Sequence, residues 1–198
     1  MRTKARLELL YGILAQYKRW LVLINADPDA VGSSMAFRRL ASRRVARMDI
    51  ARINEIQRPD NLSLLRYVRA PIVRFSAEMA DAYDAFAIID SQPHHNPAFK
   101  DIPFSVIIDH HPVKETSCEA PFVDIRPEYG ATATMLSEYL SAARIVPGRL
   151  LATALLYGIR TDTANFTRPF SDADMGAYRN LARKADHGLI SSIVHSEF

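Results

Sequence analysis

Three segments constrain what this chain can fold into. Trp20-Leu-Val-Leu-Ile24, Tyr83-Asp-Ala-Phe-Ala-Ile-Ile89 and Phe104-Ser-Val-Ile-Ile108 are strand-length, largely apolar runs, and each stops at an acidic or polar cluster. A run without alternation has two faces to bury. That is the pattern of a strand inside a mostly parallel sheet, covered on both sides. Asp49–Ile53, Ile72–Phe75 and Phe122–Ile125 read as further strands. Helices are expected over residues 1–19, Gly32–Ala41, Asn61–Val68, 130–144, 147–161 and 172–186, the last with Asp172 as its N-cap. The alternation predicts an α/β fold, a mostly parallel five- or six-stranded sheet flanked by helices.

The 198 residues, 48% apolar and 24% charged, suffice for one ample domain, and residues 1–198 read as a single unit. Lys and Arg exceed Asp and Glu by only 25 to 22. That excess permits an anionic ligand such as a phosphate or short nucleic acid without requiring one. Arg38, Arg39, Arg43, Arg44 and Arg47 spread over more than one helical face and read as solvated surface. The lone cysteine, Cys118, excludes an intramolecular disulfide and a cysteine-based metal site. No apolar stretch reaches the ~18 residues of a membrane span, and the N-terminus lacks the features of a signal peptide. A cytoplasmic protein without a membrane partner is expected.

In an open α/β sheet, ligands bind beyond the carboxyl ends of the strands. Asp27 and Asp29, Asp90, and Asp109-His110-His111 all follow apolar runs and belong on that edge. Asp162 adds a carboxylate at the end of an expected helix. Taken singly, each has a plain structural account: a turn, a cap, an exposed histidine pair. Taken together, clustered carboxylates repel unless they are protonated or hold a cation. Carboxylate mixed with imidazole suits manganese, zinc or iron better than calcium. Two such ions about 3.5–4 Å apart polarise a phosphoryl group.

Five segments then follow in order: Asn25-Ala-Asp-Pro-Asp-Ala-Val-Gly-Ser33, Ala87-Ile-Ile-Asp90, Ile107-Ile-Asp-His-His-Pro112, Gly130-Ala-Thr-Ala-Thr-Met-Leu-Ser-Glu138 and Gly158-Ile-Arg-Thr-Asp-Thr-Ala-Asn-Phe166. Over residues 20–170 the chain resembles the DHH family of phosphoesterases, which includes RecJ-type exonucleases, oligoribonucleases, cyclic dinucleotide phosphodiesterases and manganese pyrophosphatases. The resemblance implies a catalytic set of Asp27, Asp29, Asp90, His110, His111 and Asp162. Asp27 would hold one metal and Asp29 the other, with Asp90 between them and His110 and Asp162 completing the second. His111 would face the substrate phosphate, Asp109 would orient His110, and Asn25 would stand behind the metal ligands. Arg160 and Arg168 would neutralise substrate phosphates. The implied cofactor is manganese, two ions, with magnesium as a substitute. The implied reaction is two-metal hydrolysis of phosphodiester bonds in short RNA or DNA or in nucleotide-like phosphoesters. Several family members assemble as homodimers.

Two features depart from the family. The position four residues before the first motif aspartate, a histidine in many members, is Leu23, and the position two before it, an aspartate in RecJ-like members, is Asn25. The first metal would therefore bind weakly, take water at that position or be absent, unless His94 or His95 substitutes; the competing expectation for these two histidines is substrate contact or plain exposure. The C-terminal domain usual in the family also has no room in 198 residues, which suggests a piece of a longer protein. A degenerate member that binds nucleotide or metal without turnover is the competing expectation, with a manganese pyrophosphatase less favoured. Ser33, Thr132 and Thr134, with Gly130, are candidates either for phosphate contact or for helix capping.

Overall fold

The apolar runs become strands β1 (Arg19–Ile24), β2 (Arg47–Arg52), β3 (Ile72–Arg74), β4 (Ala85–Ile89), β5 (Phe104–Asp109) and β6 (Phe122–Ile125) in a computed structural model that describes residues 3–113 and 119–196. They form one parallel sheet in the order β3-β2-β1-β4-β5-β6. Around them lie α1 (Thr3–Leu14), α2 (Pro28–Ala41), α3 (Pro59–Val68), α4 (Thr132–Ala142), α5 (Arg149–Asp162), α6 (Asp172–Ala182) and α7 (His187–Val194).

Strand alternation divides the core in two. Trp20, Val22 and Ile24 face the helices and pack with Leu10, Phe37, Leu64, Leu136 and Leu155. Leu21 and Leu23 face the other way, with Ala51, Ile88 and Ile107. That side is closed by Tyr83, Phe99 and Phe104 and by the short 3-10 turn Ala77–Ala82. Both faces of β1, β4 and β5 are buried, so these strands carry no polar alternation.

The chain runs outward from β1 through β2 to β3, then returns to β4 and runs outward through β5 to β6. The strand order therefore reverses between β1 and β4. Such a reversal opens a crevice at the carboxyl ends of the two strands, because their connections leave in opposite directions. Helix α2 leaves β1 there, and α5 crosses α2 at close range. A Cβ on Gly32 would meet the Ala154 carbonyl oxygen at 2.8 Å, and one on Gly158 would meet Asp29 Cα at 2.9 Å. Only glycine allows this approach.

Several boundaries differ from expectation: the first helix, expected to residue 19, ends at Leu14, and β1 takes up Arg19. Helix α2 starts at Pro28 rather than Gly32, because Asp27 caps it and proline suits the first helical position. Ser171, not Asp172, caps α6, in a reciprocal capping box with Asp174. The helix expected over 172–186 stops at Ala182, and α7 then starts behind Asp186, whose carboxylate accepts the Leu189 N–H at 3.0 Å. Cys118 lies outside the described residues. Among the described residues, no helix is long and apolar enough to cross a membrane.

Candidate metal centre

The first motif builds two acidic positions from one turn. Asp27 is the N-cap of α2, and its Oδ1 accepts the Ala30 N–H at 2.9 Å. Asp29 falls in the first helical turn and is fully buried. The N-terminus of α4 points at it: the N–H groups of Thr132 and Ala133 donate to its two oxygens at 2.6 and 2.8 Å. Ser33 adds a hydroxyl at 3.2 Å. A carboxylate at a helix N-terminus is favoured by the dipole and the unpaired N–H groups. Burial works against it, and the nearby charge of Asp162 adds to that, so the Asp29 carboxyl is pushed up to about 7. Burial and Asp162 likewise raise Asp27 to about 6.

Asp90 follows β4 with φ at 61°, a left-handed conformation that aspartate tolerates better than most residues. The turn drops its carboxylate into the crevice. One oxygen accepts the Thr132 hydroxyl at 2.8 Å. The other is buried and has no hydrogen-bond partner among the described residues. Burial, then the charges of Asp29, Asp27 and Asp162, raise the Asp90 carboxyl well above its usual range.

His110 extends from the end of β5. Its Nδ1 lies 3.1 Å from the Tyr129 carbonyl oxygen, which can only accept, so the proton sits on Nδ1. The Nε2 then faces the acidic group: 3.1 Å to Asp162, 3.6 Å to Asp90 and 3.9 Å to Asp29. Burial opposes its charged form, but the hydrogen bond to Asp162 and the charge of Asp29 outweigh this and raise His110 to about 9.

The donor set fits a cation. Asp29, His110 and Asp162 bring ligand atoms within 4.8 Å of one another, and so do Asp90, His110 and His111. Buried carboxylates that repel, one orphaned carboxylate oxygen and an imidazole nitrogen aimed at them form an unbalanced site that a divalent ion would balance.

The structure gathers most of the expected residues on this edge, but several contacts differ from expectation. Asp109 does not orient His110. It is fully buried, and its Oδ1 takes His111 Nδ1 at 2.8 Å, because its side chain and that of His111 point to the same side of β5. Burial pushes the Asp109 carboxyl up, but the hydrogen bonds to His111 and Gln92 outweigh this and hold it low. The same bond to Asp109 raises His111. The Thr132 and Ser33 hydroxyls serve Asp90 and Asp29, while Thr134 donates to Asp174 at 2.5 Å. Gly130 is needed for packing, since a Cβ there would lie 2.7 Å from Thr163 Cγ2. Arg160 donates to Asn165 at 2.6 Å, and Arg168 is exposed. Leu23 is fully buried in the core, and Asn25 is exposed at the end of β1. His95 gathers with Asp109 and His111 rather than with Asp27.

Other residues at the site escape sequence reading. Asn54, after β2, clamps the Ala26 backbone, accepting its N–H at 2.7 Å and donating to its carbonyl at 3.0 Å. Gln92 donates to Asp109 at 2.6 Å. Asp174, on α6, accepts the Gly130 N–H at 2.8 Å and fixes the entry to α4. The asparagine after a strand is the one available local signal, since that residue type favours turns.

A parallel α/β domain with an acid–histidine centre at its switch point is the class that fold and site define. Residues 21–159 match the model of the DHH family, N-terminal domain, and the chain belongs to that family. It is 36% identical over 177 residues to an uncharacterized protein of Methanocaldococcus jannaschii, covering 89% of this chain and 37% of that protein. It is 22% identical over 165 residues to a probable manganese-dependent inorganic pyrophosphatase of Listeria monocytogenes, covering 82% of this chain and 53% of that protein. The chain thus spans about half or less of these relatives. The crystal structure of an exopolyphosphatase-related protein from Bacteroides fragilis shares the fold, with a TM-score of 0.77 at 20% identity over 98% of this chain and 61% of that one.

Proposed function

We propose that this chain is the metal-binding domain of a manganese-dependent phosphoesterase that hydrolyses phosphodiester bonds in short oligonucleotides or nucleotide-like substrates. The buried, half-unpartnered Asp90 carboxylate, set among Asp29, His110 and Asp162, is the observation that carries this reading. Asp29, Asp90, His110 and Asp162 would hold one ion, and Asp27 with Asp90 a second, weaker one. The bound metal supplies Lewis acidity toward a phosphoryl oxygen and lowers the pKa of water. The protein's part is positioning. The N-terminus of α4 fixes both Asp29 oxygens, Thr132 fixes Asp90, and the Tyr129 carbonyl sets the His110 tautomer, so the ligands are preorganised. His111, held by Asp109, stands beside His110 with ring centroids 4.5 Å apart and reaches the substrate side. Its side chain is 43% exposed, compared with 13% for His110.

A second reading, a domain that binds nucleotide or metal without turnover, is favoured by Leu23, whose buried side chain supplies no metal ligand. One assay separates the two. Manganese-dependent release of phenolate from bis(p-nitrophenyl) phosphate, abolished in Asp90→Asn, supports the phosphodiesterase. Orthophosphate from pyrophosphate, with no phenolate released, would replace it with a pyrophosphatase. Metal binding with neither product would leave the non-catalytic reading.

A further inference from the structure

The arginine-rich segment at the end of α2 has no part in the metal centre. Arg44 lies over the Tyr11 ring at 3.3 Å, and Arg43 is exposed. Arg38, Arg39 and Arg47 instead converge on a cavity of about 500 Å³ between the end of α2, the start of β2 and the start of α5. Each is held by part of its guanidinium. Arg38 donates from Nε to the Met48 carbonyl at 2.9 Å, Arg39 from Nη1 to the Ser42 hydroxyl at 3.1 Å, and Arg47 from Nε to Asp49 and from Nη2 to the Tyr83 hydroxyl at 3.2 Å. Both Nη groups of Arg38, Nη2 of Arg39 and Nη1 of Arg47 have no partner among the described residues. Three guanidinium charges thus face one carboxylate, Asp49, across the cavity. A helix C-terminus carries only about half a negative charge, too little to balance the surplus. Guanidinium forks fixed at one edge suit a phosphate group, which takes paired N–H donors. The rest of the wall is apolar, with Met35, Val45 and Leu151. A purely anionic ligand would leave that wall uncovered, whereas a flat base would cover it. Asp49 accepts both of its hydrogen bonds at Oδ2, which leaves Oδ1 for a ribose hydroxyl. The volume falls within the roughly 300–1,000 Å³ of small-molecule sites.

We propose that this cavity binds a mononucleotide, with the phosphate on Arg38, Arg39 and Arg47 and the base against Met35 and Leu151. Arg38 lies nine residues beyond Asp29, about 14 Å along α2. The cavity sits at the amino end of β2, and the acidic centre at the opposite edge of the sheet. The two sites are separate, and the mononucleotide site does not depend on the phosphoester reading.

The test uses the full chain in EDTA, with AMP as probe and binding followed by calorimetry. One AMP per chain is expected, bound at least about tenfold more tightly than inorganic phosphate or adenosine, each of which offers only part of the recognition. Arg38→Gln and Arg39→Gln should each raise the AMP dissociation constant about tenfold, the loss of one charge-assisted hydrogen bond. Both side chains are exposed, and Arg39 bonds only to Ser42 in the adjoining turn, so Arg39→Gln reads binding rather than folding. Arg43→Gln, outside the cavity, should leave AMP affinity unchanged. Absence of AMP binding in EDTA would overturn the proposal. Binding that appears only with manganese would do the same, by moving the nucleotide to the acidic centre. An equal loss in Arg43→Gln would reduce the effect to general surface charge and overturn it too. Phosphate bound as tightly as AMP would leave an anion site with no place for a base, which also rejects the mononucleotide.

Discussion

Asp90 combines a left-handed backbone, a buried carboxylate and four acidic neighbours, which makes it the sharpest residue-level test. An asparagine there would keep the shape and tolerate the same φ, so Asp90→Asn removes charge and little else. Metal-free Asp90→Asn should be more stable than the wild type at neutral pH, by on the order of 1 kcal/mol, because it relieves repulsion among buried carboxylates. It should also lose manganese binding. Thermal melts with and without manganese check both, and a destabilised metal-free variant would contradict the repulsion argument. Residues such as Asp90 are legible in the sequence because each follows an apolar run and the edge of a parallel sheet gathers such residues. Their partners are not. The Tyr129 carbonyl, the Gln92 amide and the α4 N–H groups act through tertiary contacts between residues 17 to 104 positions apart, and backbone atoms leave no mark in a sequence.

Among the elements, the crossing of α2 and α5 decides whether the acidic turn can reach the crevice. Gly158→Ala would set a Cβ 2.9 Å from Asp29 Cα and 3.2 Å from the Pro28 carbonyl oxygen. Both are backbone atoms, so α2 must shift. Overpacking of this kind costs typically about 1–3 kcal/mol. Here it should also weaken manganese binding, because Asp29 moves with α2. Gly176→Ala in α6 meets nothing within 4 Å and should instead stabilise by about 0.5–1 kcal/mol, as alanine does in a helix. Urea melts of the two variants give the contrast, and equal effects would remove the special role of Gly158. The elements themselves are readable to differing degrees. Continuous apolar runs announce β1, β4 and β5. Helix α7 is hidden by its length of 8 residues and by Gly188, Ser191 and Ser192, which blur the helical period, although Asp186 stands in the position of a cap. The start of α2 is hard to place because Asn-Ala-Asp-Pro-Asp reads as a turn. Proline at the first helical position and aspartate before it allow the helix to begin inside that turn.

For the molecule as a whole, the acidic centre ties folding to pH and to metal. Well below the ordinary aspartate pKa of about 3.9 these carboxyls are protonated in the folded and unfolded chains alike. As pH rises, the unfolded chain releases protons that the folded chain keeps on Asp27, raised to about 6, and Asp29, raised to about 7. The folded state then binds more protons, so the stability of the metal-free protein falls as pH climbs through that window. His110 has the same sign. With its folded value raised to about 9, its contribution is full below the ordinary histidine range and disappears as pH rises through about 9. A divalent cation held as proposed should reverse the trend, because it would bind the deprotonated carboxylates and the neutral Nε2 of His110, and a ligand that binds only the folded state stabilises it. Melting temperatures taken from about pH 5 to about pH 8, in chelator and in manganese, should therefore diverge. The chelated protein should melt at progressively lower temperature, and the gain from manganese should widen with pH. A gain that stays constant across the range would mean that the metal does not engage these titrating groups, and Asp27, Asp29 and His110 would have to be released from the centre.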